Sequence, residues 1–239
     1  MKRAILLTLL LASVTFAAFP NLQFATRFQN SALDWSGNGR NGTVYGSGVY
    51  TTARGQQALY FDGTGDYVTT PSFGLSGTVV VFACRARIAH HTSIFQTLLS
   101  DGAQSNTVGF LFCYRPPNSN DLVWQYSDGT SYKLVTAPSF FASPYNDVWL
   151  HAVVACDYTG KICRIYRNGV LFYSAGLAGA PRFPSATRVK YIGAYDPMIH
   201  LPQSGYLADV QLWTLPTMPP LAVMNASVAR IAAGGMPCW

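Results

Sequence analysis

The chain has 239 residues, 49% of them hydrophobic and 11% charged, a composition that excludes a disordered polymer and fits one globular unit. Its formal charge of +6 comes from scattered residues, the densest pairs being Arg85 with Arg87 and Arg164 with Arg167, which argues against a nucleic-acid surface. The 21 Gly and 14 Pro are spread throughout, a pattern of many short strands joined by tight turns.

Met1-Lys2-Arg3, the apolar run Ala4 to Leu11 and the small residues ending Thr15-Phe16-Ala17 have the three parts of a secretory signal peptide, so residues 1–17 are expected to be removed. A membrane anchor competes with that reading, but the run falls short of the ~20 residues of a bilayer span. The 16 Lys and Arg less Lys2 and Arg3 leave 14 against 10 Asp, a charge of +4 on the remaining chain. Residues 18–239 are expected to form a single domain exported from the cell.

Strand-like runs follow in order: Ala58 to Phe61, Thr78 to Arg87, Ile94 to Leu99, Val108 to Tyr114 and Leu122 to Tyr126. Trp149 to Cys156, Cys163 to Arg167, Val170 to Tyr173, Val189 to Ile192 and Tyr206 to Trp213 complete the set. Asp62-Gly63, Asp101-Gly102, Asp128-Gly129 and Asn168-Gly169 mark turns between them. Near the end, Leu221, Val223, Met224, Val228 and Ile231 fall at helical spacing between Pro219-Pro220 and Gly234-Gly235, predicting a helix over about 220–233. Arg230 is its only charge, which favours packing on the sheets over lying on a membrane.

The five cysteines stand at 84, 113, 156, 163 and 238. In an oxidising compartment thiols pair. Cys156 and Cys163 flank a turn between two apolar strands, so a bridge across that hairpin is expected. Cys84 and Cys113, in two strand-like runs, are the candidates for a second bridge, with buried free thiols as the alternative. Cys238 is then left over and available for an intermolecular bond.

Every acidic residue is Asp; the chain contains no Glu. Of the carboxylates, Asp62 and Asp66 are the nearest spaced pair, and they lie across a turn. A nucleophile with His90, His91, His151 or His200 as base finds no Ser in a Gly-x-Ser-x-Gly elbow. The adjacent His90 and His91 would point to opposite faces of a strand, which argues against zinc. Aromatic rings with polar neighbours bind sugars. Trp124, Tyr126 and Tyr132 surround the Asp128-Gly129-Thr130 turn and Tyr195-Asp196 sits in a loop, so Trp124, Tyr126, Asp128, Tyr132, Tyr195 and Asp196 are the candidate carbohydrate-binding residues. Trp124 and Tyr126 share one strand face, so an inner core layer competes with a sugar platform. Their exposure, together with that of Tyr195, decides between the two. Asn41-Gly42-Thr43 and Asn225-Ala226-Ser227 are sequons, making Asn41 and Asn225 candidate glycosylation sites.

Four segments, in order, resemble the laminin G-like group of the concanavalin A-like lectin and glucanase superfamily. They are Asp34-Trp35-Ser36-Gly37-Asn38-Gly39-Arg40-Asn41-Gly42-Thr43-Val44, then Ala58-Leu59-Tyr60-Phe61-Asp62-Gly63-Thr64-Gly65-Asp66-Tyr67-Val68, then the hairpin from Trp149-Leu150-His151-Ala152-Val153 to Arg164-Ile165-Tyr166-Arg167-Asn168-Gly169, and finally Gly205 to Trp213. The resemblance covers residues 31 to about 233 and implies an all-β, two-sheet antiparallel jelly-roll sandwich with a short C-terminal helix. The glucanase branch of that group cleaves with two opposed glutamates, a pair this chain lacks. The resemblance also implies one structural calcium ion held by Asp34 and Asp209 with backbone carbonyls near Asn38 or Gly39; a turn-capping Asp34 and an Asp209 paired with a neighbouring arginine or amide are the alternative. The function it implies is a secreted, non-catalytic carbohydrate-binding or adhesion module whose partner is a glycan or an extracellular protein. The alternative is a structural extracellular assembly protein (surface filament, matrix or virion component) that self-associates through the same sandwich and through Cys238.

Overall fold

A computed structural model of the protein describes residues 21–88, 95–102, 109–115, 120–142, 147–196, 204–235 and 237. The expected signal peptide, His90, His91, His200 and Cys238 lie outside the described residues. Within them the first half of the chain forms β1 (Leu22–Thr26), β2 (Thr43–Tyr45), β3 (Val49–Ala53), β4 (Gln56–Asp62), β5 (Tyr67–Thr69), β6 (Val79–Ile88), β7 (Gln96–Ser100) and β8 (Phe110–Arg115). The second half forms β9 (Asp121–Ser127), β10 (Tyr132–Ala137), β11 (Leu150–Asp157), β12 (Ile162–Arg167), β13 (Val170–Gly176), β14 (Tyr191–Ile192), β15 (Ser204–Leu215) and α1 (Leu221–Ala232).

The strands make two antiparallel sheets. The first has the order β13-β12-β11-β6-β15-β4-β3, with β1 also paired to β15; the second has the order β10-β9-β8-β7-β14-β5-β2. Period-two alternation sends Val80, Phe82, Cys84 and Ala86 of β6, and Leu150, Ala152, Val154 and Cys156 of β11, into the core between the sheets. The intervening Val79, Val81, Ala83, Val153 and Ala155 point outward, where Met224, Val228 and Ile231 of α1 cover them. Cover on both faces explains why every residue of β11 is buried. Beyond the end of α1 the outward positions of β6 turn polar: Arg85 donates from Nη2 to the carbonyl of Ala232 (2.9 Å), the last residue of the helix. Gly234, at φ +84, ends the helix as a left-handed cap.

Cys156 and Cys163 form a disulfide at directly opposed positions of β11 and β12. The bridge closes a short loop, so replacing both by Ala should lower unfolding stability by about 2 kcal/mol in a urea titration, with no further loss on adding reductant. Cys84 and Cys113 are not bonded to each other, contrary to the sequence expectation. They sit in different sheets with opposite parity, Cys84 facing the core and Cys113 facing outward with Leu111 and Val123. The run spacing shows both cysteines in strands but not which face each one takes. Among the described residues no helix is long and apolar enough to cross a membrane.

Candidate ligand-binding face

Trp124 and Tyr126 are core residues, a correction to their candidacy as a sugar platform. β9 sends Leu122, Trp124 and Tyr126 inward together, at 0%, 0% and 1% exposure. Trp124 stacks on Phe110 at 5.3 Å, and Tyr126 meets Tyr158 edge-on at 6.4 Å. The Tyr126 hydroxyl accepts the N–H of Ala178 (2.6 Å), which lets its polar end be buried. Asp128 braces the β9–β10 turn: Oδ1 accepts the N–H groups of Thr130 (2.9 Å) and Ser131 (2.8 Å), and Oδ2 lies 3.3 Å from the ammonium of Lys133. The N–H bond from Ser131, then those from Thr130, hold its carboxyl far below the usual carboxylate range. Tyr132 is 54% exposed, on the outer face of the second sheet. Tyr195 is buried, a further correction, because its loop folds back over that face and packs the ring with Leu111, Cys113 and Val123. Asp196 is buried beside it.

The same outer face carries three rings that sequence reasoning missed. Tyr45 of β2 lies opposite Tyr67 of β5, and Tyr191 of β14 lies opposite Thr69. With Val44, Val68 and Ile192 turned inward, the tyrosines form a row across three adjacent strands. Tyr45 and Tyr67 stack at 4.8 Å with planes 12° apart, and Tyr67 and Tyr191 follow at 6.3 Å, tilted by 54°. Tyr45 is 44% exposed, and Tyr67 and Tyr191 are half-buried. At the inner end of the row stands Asp196. Burial raises the phenolic pKa of Tyr191, and the Asp196 carboxylate and the other two tyrosines raise it further. Gly102, at φ +65, allows the approach, since a Cβ there would meet the Tyr191 ring at 2.8 Å.

Buried polar groups hold this row in place. Asp66, 1% exposed, accepts N–H groups from Ser47 and from Asp62 (2.9 Å), tying the turn after β2 to the turn before β5. The Asp62 carboxylate accepts the N–H of Thr64 (2.6 Å) and the hydroxyl of Ser47 (3.2 Å). Both carboxylates therefore serve turns. Lys190, 1% exposed, donates to the carbonyls of Phe73 and Arg188 (both 2.9 Å) and anchors the start of β14. Burial pushes its pKa down to about 8, with Asp101 pulling the other way.

The candidate calcium residues are engaged with donors. Asp34 accepts from the N–H groups of Ala25 (3.0 Å), Ser36 (2.9 Å) and Arg40 (2.9 Å) and from the Ser36 hydroxyl (2.8 Å). Asn38 donates from Nδ2 to the carbonyl of Leu22 (2.7 Å), and the Arg40 guanidinium donates to that of Gln23. Asp209 lies 3.1 Å from Nε of Arg85; burial pushes its carboxyl pKa up, against the pull of Arg85 and Arg27. These contacts are those of a turn-capping Asp34 and an arginine-paired Asp209. No group of three or more His, Cys or Asp suited to a metal occurs among the described residues. Asn41 is exposed and its Oδ1 accepts the N–H of Asp34 (2.9 Å); Asn225 is exposed on α1, while Ser227 of its sequon is buried.

A laminin G-like family model, described as the concanavalin A-like lectin/glucanases superfamily, matches residues 62–218. No curated protein matches the chain. Among solved structures, the receptor-binding domain of botulinum neurotoxin D superposes with a TM-score of 0.68 at 14% identity, covering 90% of this chain and 52% of that one. The serotype D ligand-binding domain in complex with N-acetylneuraminic acid gives 0.68, 14%, 90% and 51%. Domain 4 of an extracellular GH43 arabinanase from Geobacillus stearothermophilus, in complex with arabinotriose, gives 0.68 at 16% identity, covering 89% and 98%. The chain thus spans about half the length of the toxin domains and nearly all of the arabinanase domain. At these identities the likeness is one of fold.

Proposed function

The chain belongs to the concanavalin A-like lectin/glucanase superfamily, and on that premise we propose that it is a secreted, non-catalytic carbohydrate-binding module whose glycan lies on the outer face of the second sheet. The observation that carries this reading is the row Tyr45–Tyr67–Tyr191, backed by the buried Asp196: apolar rings for sugar faces, and phenolic hydroxyls for hydrogen bonds. The sugar-bound arabinanase and neurotoxin domains of the same fold support it. Export is supported by the N-terminal sequence pattern and by the disulfide. Absence of catalysis is supported by the lack of Glu and by the turn-bracing roles of Asp62, Asp66 and Asp128.

A glycan array identifies the ligand, and calorimetry with the best binder tests the site. Tyr67→Ala is expected to weaken affinity about tenfold, the ~1.4 kcal/mol scale of one lost aromatic contact. Unchanged affinity would move the site elsewhere. A second reading, self-association, is favoured by Tyr132 and Leu134, exposed at 54% and 43% along β10 at the edge of the sheet. Size-exclusion chromatography with non-reducing electrophoresis separates the two, since a module that only binds glycans runs as a monomer.

A further inference from the structure

On the opposite side of the molecule, where α1 stops covering the first sheet, a cleft of about 240 Å³ opens between Trp149, His151, Arg85, Asn168 and Ala232. His151 points outward from β11 and is 6% exposed, and neither Nδ1 nor Nε2 has a hydrogen-bond partner. Its backbone is fixed on both sides by Asn168, which accepts the His151 N–H at Oδ1 (2.9 Å) and donates its own N–H to the His151 carbonyl (2.8 Å). A buried imidazole on a fixed backbone, with both ring nitrogens unmet, implies a partner supplied from the cleft.

The walls define that partner. Arg85 is committed three times over, to Asp209 (3.1 Å), the Ala232 carbonyl (2.9 Å) and Gln56 (3.3 Å), so the cleft offers no spare positive charge for an anion. A neutral imidazole presents one donor and one acceptor, the two roles a hydroxyl plays. Trp149 adds an apolar wall, its Nε1 already donating to the Ala53 carbonyl (2.9 Å). The volume equals about eight waters at ~30 Å³ each and lies below the ~300 Å³ of drug-sized pockets.

We propose that this cleft is a second ligand site that takes one uncharged sugar ring, free or at the end of a glycan, with its hydroxyls on His151 and its apolar side against Trp149. It is independent of the tyrosine row on the other sheet.

The test follows the His151 ring and Trp149 indole NMR signals of the full chain during titration with glucose, galactose, N-acetylglucosamine and arabinose, with sulfate as the anionic control. At least one sugar should move both signals saturably, with Kd on the order of 1 mM, in the unmodified protein and equally in Tyr67→Ala. Affinity read from the Trp149 signal should fall at least about tenfold in His151→Phe. Ala232→Leu, which fills the cleft from its rim without touching the core, should abolish the shifts even if His151→Phe does not fold. Unmoved signals with all four sugars, a response to sulfate instead, or undiminished binding in Ala232→Leu would each overturn the proposal.

Discussion

Trp124→Ala should lower the free energy of unfolding by about 3–5 kcal/mol, the range for deleting a large buried aromatic, and leave glycan affinity per folded molecule unchanged. Trp124 is fully buried, stacked on Phe110 with planes 7° apart and packed beside Phe112 at 6.2 Å. Phe112 in turn meets Phe82 of the opposite sheet at 4.8 Å. The indole therefore supports the contact between the layers, and its loss leaves a cavity that strands fixed by hydrogen bonding on both sides cannot collapse into. A urea titration measures the stability, and calorimetry at saturating folded fraction measures the affinity. A stable variant that has lost its sugar would return Trp124 to the ligand site.

The second large effect is acid sensitivity at His151. Burial first, and Arg85 second, push the imidazole pKa down from 6.5 to about 4. A base with a depressed folded pKa stays neutral in the fold while the unfolded chain takes up a proton. Stability is thus fully present above pH 6.5, is lost as pH falls from there to about 4, and loses nothing more below that. The shift corresponds to about 3 kcal/mol across the window. Unfolding free energies of the unmodified protein and of His151→Phe, compared at several pH values, isolate this contribution from those of the aspartates. A difference that stays constant from pH 6.5 to 4 would show that His151 is reachable by protons in the fold. Sugar binding in the cleft, by holding the neutral ring, should extend the loss to lower pH.

The elements buried on both faces were the most legible from sequence. β11, Val79–Cys84 of β6 and Leu212–Leu215 of β15 read as apolar runs because the core lies on one side and α1 on the other. The helix, expected over about 220–233, runs Leu221–Ala232. The disulfide was legible because hairpin register puts Cys156 opposite Cys163.

What alternation does not give is which face of a strand turns inward. β9 offers Trp124 and Tyr126 on one side and Val123 and Gln125 on the other, and only packing against Phe110 and Tyr158 shows that the rings go in. The same ambiguity made Cys84 and Cys113 look like partners. The tyrosine row went unseen for a different reason. β2 and β5 are three residues each and β14 two, too short for periodicity, and the row exists only because strands far apart in sequence are neighbours in the sheet. A local cue was there in Thr43-Val44-Tyr45, Tyr67-Val68-Thr69 and Tyr191-Ile192, each placing an aliphatic residue beside an outward tyrosine.

β15 is the longest strand among the described residues, and it sits in the middle of its sheet, with β6 on one side and β4 and β1 sharing the other. Leu22 pairs with Trp213 and Leu59 with Leu207, so strands from the start of the chain wait for one made almost at its end. Loop closure over such separations must precede any gain from pairing, which makes this a slow-folding topology. During synthesis β4 and β6 stand as open edges, Val79 and Val81 uncovered, until residues 204–215 slide between them.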